Sequence, residues 1–204
     1  MTTTVHLAIY DGLADWEYGY AAAQINSQDF QKVPGRYRIQ TVALAAEPVT
    51  TAGGVRMLPD LVIGDVDPAD SAMLILPGGE SWATGQNDPF AKLARRFREA
   101  GVPVAAICGA TTGLAQEGLL DDVDHTSGAV EQLGEYGGAA RYRQERAVSD
   151  GGVITAGPSD ALDFAREIFV ELDMYEPQVV DAWYGLFSTG DPEWYAKLVQ
   201  SVPN

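Results

Sequence analysis

Short apolar runs that alternate regularly with longer amphipathic stretches are the feature that most constrains how this sequence can fold. Several of the runs are almost continuously apolar, which is typical of parallel strands covered on both faces of a sheet. Alternation of such strands with helix-length segments predicts an α/β protein with a mostly parallel central sheet. The predicted strands are Val5 to Ile9, Tyr37 to Ala43, Met73 to Leu76, Val104 to Ile107 and Val153 to Thr155.

The stretches between these strands predict helices, and some of them carry helix start signals. Asp15 and Ser159 are residue types that favour the N-cap position, and Pro89 suits a first helical turn. The segment from Pro48 to Pro59 holds two adjacent glycines between β-type residues and predicts a small β-hairpin. The predicted helices are Asp15 to Gln28, Pro89 to Ala100, Thr112 to Glu117 and Ser159 to Leu172.

Length and composition predict one domain with a large hydrophobic core. The chain has 204 residues, of which 46% are hydrophobic and 21% are charged, close to an average soluble domain. We expect residues 1–204 to form this single domain, with residues 175–204 as a C-terminal helical extension. The helical part, from Glu176 to Val202, is expected to dock through Trp183, Tyr184, Trp194 and Tyr195.

The acidic charge balance excludes several classes of partner. Thirteen Lys and Arg residues against 29 Asp and Glu residues give a formal net charge of -16. Such a chain repels nucleic-acid phosphates and anionic membranes. A membrane-spanning helix needs about 18 consecutive apolar residues, and no run in this sequence approaches that length. The first residues lack the basic and apolar regions of a signal peptide. We therefore expect a cytoplasmic protein that binds neither nucleic acid nor membranes.

One cysteine and two histidines limit the metal and disulfide chemistry of the chain. Cys108 has no partner for an internal disulfide, and His6 and His125 complete no zinc-binding spacing. His6, within the first predicted strand, is expected to be structural. No phosphate-binding or dinucleotide-binding glycine motif follows a predicted strand. The sequence therefore predicts neither a metal site nor a cofactor.

The segment from Pro103 to Gly113 has the pattern of a nucleophile elbow, in which a buried strand turns sharply into a helix. Ala106 and Ala110, two residues before and two after Cys108, are small enough to allow this reversal. At the start of the helix, unpaired amides and the positive end of the helix dipole are expected to lower the pKa of the Cys108 thiol. The alternative is an unreactive core cysteine, because free cysteine is often buried.

Loops after the other strands should meet this elbow, because ligands bind at the carboxyl edge of open α/β sheets. The amides of Gly79 and Gly109 are candidates for an oxyanion hole. Glu17 either complements the dipole of its helix or reaches Cys108, in which case desolvation retains its proton and it acts as general acid and base. The segments expected to converge are Asp11 to Glu17, Pro77 to Trp82, Cys108 to Gly113 and Gly157 to Asp160.

Three motifs together resemble the DJ-1/PfpI family of the class I glutamine amidotransferase-like superfamily. They are ADWE at residues 14–17, PGG at residues 77–79 and AICGA at residues 106–110. The resemblance runs from Val5 to about Leu172 and implies a flavodoxin-like three-layer sandwich, usually dimeric. It also implies that Cys108 is the nucleophile, that Glu17 touches it, and that Gly78, Gly79 and the Gly109 amide lie nearby.

The chain departs from the family pattern at two positions. Family members named as intracellular proteases or deglycases usually carry His directly after the cysteine, where this chain has Gly109. A second family histidine aligns with Ser127, and His125 lies two residues earlier, on the same face of a strand. His125 is therefore a candidate third catalytic residue; the alternative is a loop histidine bonded to nearby acidic residues. Trp82, Thr111 and Ser127 are candidates for the substrate pocket, and each also has an ordinary packing or capping explanation.

These residues are compatible with three kinds of function. The favoured one is a cysteine-dependent hydrolase or lyase, in which Cys108 attacks a small electrophile such as an amide or an α-oxoaldehyde with help from Glu17. The second is a redox-responsive or chaperone-like stress protein in which Cys108 is oxidised. The third is a small-molecule binding module with an inactive site. The enzyme is favoured because backbone strain, as expected at an elbow, tends to persist where it serves reactivity.

Overall fold

A seven-stranded sheet forms the centre of the computed structural model, which describes residues 2–201. The strand order is β5-β2-β1-β6-β7-β9-β8, and all neighbours pair in parallel except β8 and β9 at one edge. Two further strands, β3 and β4, form a separate antiparallel hairpin. The strands are β1 Thr3–Ala8, β2 Tyr37–Ala43, β3 Val49–Thr50, β4 Arg56–Met57, β5 Leu61–Val62, β6 Ser71–Leu76, β7 Val104–Ile107, β8 Ala147–Asp150 and β9 Val153–Ala156.

Helices cover both faces of this sheet and complete three layers. On one face α1 packs against α4, and on the other α2 packs against α3. The predicted flavodoxin-like α/β sandwich with a small hairpin is thereby confirmed. The helices are α1 Asp15–Asn26, α2 Asp88–Glu99, α3 Gly109–Gln116, α4 Ala161–Glu171, α5 Pro177–Thr189 and α6 Pro192–Gln200.

The apolar runs of the sequence form the core because they are strands covered on both sides. All residues of β7 are buried, as are all residues of β9 and the last four residues of β6. Helix α2 buries one side, including Phe90, Leu93 and Phe97, and exposes charged residues on the other. Because the central strands are parallel, their carboxyl ends lie at the same edge of the sheet, where β7 leads into Cys108.

Two of the predicted helix caps are wrong. Helix α4 begins at Ala161 after the N-cap residue Asp160, because Gly157 to Asp160 form a turn in which the Asp160 amide donates to the Gly157 carbonyl. Helix α1 has Ala14 as its N-cap, and the Asp15 carboxylate instead accepts from an amide in the hairpin loop. Strands β5 and β8 were not predicted, because β5 has two residues and β8 is only half-buried.

The chain after α4, which was expected to be helical, forms two helices in the described residues, α5 and α6. Trp183 of α5 is buried against the Phe169 ring of α4, with the ring centroids 4.9 Å apart. Trp194 of α6 packs on Gly185, where an added Cβ would lie 2.3 Å from the indole. Tyr195 does not dock as expected, because 58% of its surface is exposed. Residues 202–204 of the predicted extension lie outside the described residues.

Within residues 2–201, no helix is both long and apolar enough to span a membrane.

Candidate active site

The turn between β7 and α3 projects Cys108 from the carboxyl edge of the sheet. Cys108 has φ 57° and ψ -128°, a backbone conformation that L-residues rarely adopt and that costs about 1 to 3 kcal/mol. The Cys108 amide donates to the Ala156 carbonyl at 3.0 Å, and its carbonyl accepts from the Thr111 hydroxyl at 2.6 Å. Ala106 and Ala110 are fully buried on either side of the reversal. These contacts hold the half-buried sulfur at the floor of a cleft.

Glu17, in the first turn of α1, reaches the same point as Cys108. Only 1% of the Glu17 surface is exposed, and its Oε2 accepts a hydrogen bond from the Gly78 amide. A Cβ atom added at Gly78 would lie 2.6 Å from Cys108 Cβ, 3.0 Å from Cys108 Sγ and 2.8 Å from Glu17 Oε2. Only glycine therefore fits at position 78, because the cysteine and the carboxylate crowd the space that a side chain would need.

Burial raises the pKa of both groups. Desolvation raises the pKa of Glu17 to about 7, although the hydrogen bond from the Gly78 amide opposes it. Desolvation, together with the Glu17 charge, raises the pKa of the Cys108 thiol to about 11. A hydrogen bond from the Gly109 amide lowers this pKa, but by less than the other two effects raise it. The predicted lowering of the thiol pKa is therefore wrong, because burial and the facing carboxylate outweigh the start of the short helix α3. The predicted retention of a proton on Glu17 agrees with the raised pKa of that group.

The second carboxylate oxygen of Glu17 lacks an ordinary hydrogen-bond partner. Glu17 Oε1 is buried and accepts no hydrogen bond from any residue in the described range.

Of the Glu17 carboxyl and the Cys108 thiol, Glu17 has the lower pKa, so near neutral pH it is the first to lose its proton. An ionised Glu17 can then accept the thiol proton as Cys108 reacts.

The glycine amides around Cys108 differ in what they can bind. The Gly78 amide is used by Glu17 and is not free to hold an oxyanion. Within residues 2–201, the Gly79 amide donates to no protein acceptor, which leaves it available to a ligand. A Cβ at Gly109 would lie 2.8 Å from the Gly79 carbonyl oxygen. This close approach of the two backbones explains why a histidine does not fit at position 109 here.

The three residues expected to line the substrate pocket lie behind the cleft instead. Trp82 is 1% exposed and packs against Gly113, where a Cβ would lie 2.3 Å from the ring. Thr111 is fully buried and its hydroxyl lies 2.9 Å from the Ser127 hydroxyl. None of the three lines the cleft above Cys108. They support the elbow from within the protein.

Neither histidine faces the cleft. His125 is fully buried, and its ring nitrogens lie 2.8 Å from the Val123 carbonyl and 2.7 Å from the Tyr136 hydroxyl. The candidate catalytic role of His125 is therefore corrected to a structural one, although its partners are not the acidic residues expected. His6 is buried with Nδ1 2.9 Å from the Ser71 hydroxyl, in agreement with a structural role.

The cleft above Cys108 has a volume of about 800 Å³, and most of its lining residues belong to three of the segments that were expected to converge. Ala52, Ala83 and Gln132 line it from outside those segments. Trp16 presents 59% of its surface, while its indole N–H donates to the Pro158 carbonyl at 3.1 Å. The Gly157 to Asp160 segment, expected to converge with the others, lines a separate small cavity. Trp16 was not singled out as a pocket residue, although its position directly before Glu17 in the ADWE motif could have indicated that it lines the cleft. Further lining residues are Asp11, Glu80, Ser81, Thr112 and Gln132.

The cleft offers carboxylates, hydroxyls and amides but no cationic side chain. None of its lining residues in the described part of the chain is Lys, Arg or His. Between residues 2 and 201, no three His, Cys, Asp or Glu side chains are arranged to hold a metal ion. The groups with chemical potential that line the cleft include the Cys108 sulfur and the Glu17 carboxyl.

Comparison with known proteins agrees with this arrangement. The sequence model of the DJ-1/PfpI family matches residues 3–171. The chain belongs to the DJ-1/PfpI family. A Bacillus subtilis protein named uncharacterized protease YoaZ is 34% identical over 206 residues, which cover 98% of both chains. The crystal structure of a thiJ/pfpI family protein from Bacillus anthracis is 34% identical with a TM-score of 0.92, covering 100% of this chain and 99% of that one.

More distant family members carry the names of enzymes. The deglycase TK1284 of Thermococcus kodakarensis is 26% identical, covering 79% of this chain and 94% of its own. The glutathione-independent glyoxalase DJR-1.2 of Caenorhabditis elegans is also 26% identical, covering 69% of this chain and 76% of its own. The relatives of this chain thus carry names of three kinds: protease, deglycase and glyoxalase.

Proposed function

We propose that this protein is a cysteine-dependent hydrolase or lyase that acts on a small electrophile, either an amide or an α-oxoaldehyde. One observation supports it above the others: Cys108 Sγ and Glu17 Oε2 both lie within 3.0 Å of the point where a Gly78 side chain would begin. A nucleophile beside a carboxyl group with a pKa of about 7 is suited to proton transfer at neutral pH. The enzyme names of the relatives fit this class of chemistry.

For an amide, the reaction begins when Glu17 takes the thiol proton and Sγ attacks the carbonyl carbon. The C–S bond forms while the carbonyl electrons move to oxygen, where the Gly79 amide donates a hydrogen bond. One such donor contributes about 3 to 4 kcal/mol in a well-studied serine protease. Glu17 then gives its proton to the leaving nitrogen as the C–N bond breaks. Water, with Glu17 again as base, hydrolyses the resulting thioester and restores the thiol.

For an α-oxoaldehyde, the same attack gives a hemithioacetal whose oxygen takes up a proton. Glu17 then removes the proton from the carbon bonded to sulfur and returns one to the neighbouring carbon. This shift converts the hydroxyl-bearing carbon into a thioester and the ketone into a hydroxyl group, with no external oxidant. Hydrolysis of the thioester by water releases a hydroxy acid. Both routes require the same pair, Cys108 and Glu17.

The cleft favours substrates that are uncharged or positively charged. Asp11 and Glu80 are exposed at its rim, and no lining cation offsets them. The whole chain carries a formal charge of -16, which also repels anions. Trp16 offers an exposed aromatic face that can pack against an apolar or cationic substituent. An anionic substrate would find no lysine, arginine or histidine side chain among the described residues that line the cleft.

Turnover of a panel of amides and α-oxoaldehydes tests this function. We expect the wild type to consume at least one member and Cys108→Ala to lose that activity entirely. Glu17→Gln keeps the size of the side chain but cannot accept the proton, and should lose most of the rate. Full turnover by Cys108→Ala would refute the proposal.

The redox alternative has less support than the enzyme. Oxidation by peroxide also proceeds through the thiolate, so with a raised thiol pKa it requires the same proton transfer from Cys108 to Glu17. The names of the relatives, which are those of enzymes, favour the enzyme over the redox function. Intact-mass measurement after mild peroxide treatment separates the two: complete conversion of Cys108 to sulfinate would favour the redox function. The homodimer implied by the family resemblance stays a prediction, to be checked by sedimentation.

A further inference from the structure

Two buried aromatic side chains hold the peptide that contacts Glu17. The Pro77 carbonyl oxygen accepts hydrogen bonds from Tyr10 Oη at 2.6 Å and from Trp82 Nε1 at 3.0 Å. Trp82 Nε1 also lies 2.8 Å from Tyr10 Oη, so that the three polar atoms form a closed triangle. Only 5% of Tyr10 and 1% of Trp82 is exposed. We call these two side chains the aromatic clamp.

The carbonyl held by the clamp and the amide used by Glu17 belong to one peptide group. Because a peptide is planar, fixing the direction of the Pro77 C=O also fixes the direction of the Gly78 N–H. That N–H donates to Glu17 Oε2. The Gly78 carbonyl in turn accepts from the Ala14 amide at 3.0 Å, at the start of the helix that carries Glu17. The clamp therefore reaches Glu17 through a rigid unit rather than through a mobile side chain.

The clamp also lies against the helix that follows Cys108. A Cβ at Gly113 would lie 2.3 Å from the Trp82 ring, and one at Gly109 would lie 3.4 Å from Trp82 Cδ1. Both glycines are on α3, four residues apart, and therefore on one face of that helix. Trp82 thus contacts the nucleophile's helix with its ring and the Glu17-binding peptide with its nitrogen.

We propose that Tyr10 and Trp82 are positioning residues that orient the Glu17 carboxylate through the Pro77–Gly78 peptide. This inference rests on the proposed function of Glu17 as acid and base. Two hydrogen bonds to a carbonyl polarise the peptide and strengthen its N–H as a donor. That donor stabilises the ionised carboxylate and opposes the burial that raises the pKa of Glu17. Loosening the clamp should therefore raise the pH at which Glu17 loses its proton.

The rate of Cys108 alkylation by iodoacetamide, measured from pH 5 to 10, reports this change without requiring a substrate. In the wild type we expect the rate to rise through an inflection at the pKa of Glu17, about 7. Tyr10→Phe removes one hydroxyl and keeps the ring. Complete loss of a charged hydrogen bond corresponds to about 1 to 2 pH units, so partial loss should move the inflection upward by roughly 0.5 to 1 unit. Trp82→Phe removes the other hydrogen-bond donor to the Pro77 carbonyl and should move the inflection in the same direction. If Tyr10→Phe does not fold, Trp82→Phe takes its place in the test.

Tyr37→Phe is the matched control. Tyr37 is also buried, and its hydroxyl donates to the Leu172 carbonyl at 2.8 Å, but it begins β2 at the opposite end of the sheet. The Tyr37→Phe variant should lose about as much stability as Tyr10→Phe, and its alkylation profile should keep the inflection of the wild type. An inflection that Tyr10→Phe leaves unchanged, or that Tyr37→Phe moves equally, would overturn the clamp's role alone. A wild type with no inflection near pH 7 would instead overturn the proposed function of Glu17, and the clamp's role with it.

Discussion

Replacing Glu17 by Gln should stabilise the fold at alkaline pH and leave it unchanged at acid pH. Glu17 is buried, and its pKa is raised from 4.5 in the unfolded chain to about 7 in the folded one. A group whose pKa rises on folding favours the folded state below its unfolded pKa, and this contribution is lost as pH increases through the folded pKa. The wild type should therefore lose stability between about pH 4.5 and pH 7 because it must ionise a buried carboxyl. Gln has nearly the same size and carries no proton to lose.

The size of this effect follows from the rise of the Glu17 pKa from 4.5 to about 7, because a tenfold change in proton affinity corresponds to about 1.36 kcal/mol. Glu17→Gln should thus be more stable than the wild type by about 3 kcal/mol at pH 8, and by about zero at pH 4. For a chain of this length that corresponds to roughly 6 to 12 °C in melting temperature at pH 8. Urea unfolding at pH 4, 5.5, 7 and 8 measures the difference. Glu171→Gln removes an exposed carboxylate at the end of α4 and controls for net charge. A stability difference that does not vary with pH would refute the reasoning.

Three further predictions concern other parts of the site. Gly109→Ala places a Cβ 2.8 Å from the Gly79 carbonyl and should lower kcat/KM by about 100-fold on any substrate found; an unchanged value would contradict the close approach. His125→Phe removes two buried hydrogen bonds and should cost about 1 to 3 kcal/mol in urea unfolding, while the pH profile of Cys108 alkylation stays the same. The double variant Asp11→Asn, Glu80→Gln tests charge selection at the cleft. At low salt, the ratio of the rates at which a cationic and an anionic methanethiosulfonate modify Cys108 should fall by roughly fivefold for each carboxylate removed. An unchanged ratio would contradict charge selection.

The main strands of the fold were predictable because burial on both faces leaves a direct mark on the sequence. Val104 to Ile107 is apolar at every position, and the structure has a strand with the same bounds. The edge strand Ala147–Asp150 leaves no such mark, since its outer side has no neighbouring strand and its residues are partly polar. The N-caps also escaped prediction, because Asp15 found a hydrogen-bond donor in the distant hairpin rather than in its own helix.

The site was predictable only in part, because much of it depends on contacts between residues far apart in the chain. The small residues around Cys108 indicate the sharp turn, whereas the proximity of Glu17 came from the family resemblance. The direction of the thiol pKa shift depends on how much of the sulfur other elements bury, which no local pattern records. The bond from Tyr10 to the Pro77 carbonyl spans 67 residues and has no sequence signature.

The central claim is that Cys108 and Glu17 act as one proton-sharing pair, and the pH dependence of thiol alkylation tests it most directly. In the wild type, the rate of reaction of Cys108 with iodoacetamide should rise through an inflection near pH 7 and reach a plateau. In Glu17→Gln this inflection should disappear. The remaining rate should rise only above the ordinary thiol pKa of about 8.5, because burial still disfavours the thiolate. Identical profiles for the two proteins would contradict the account.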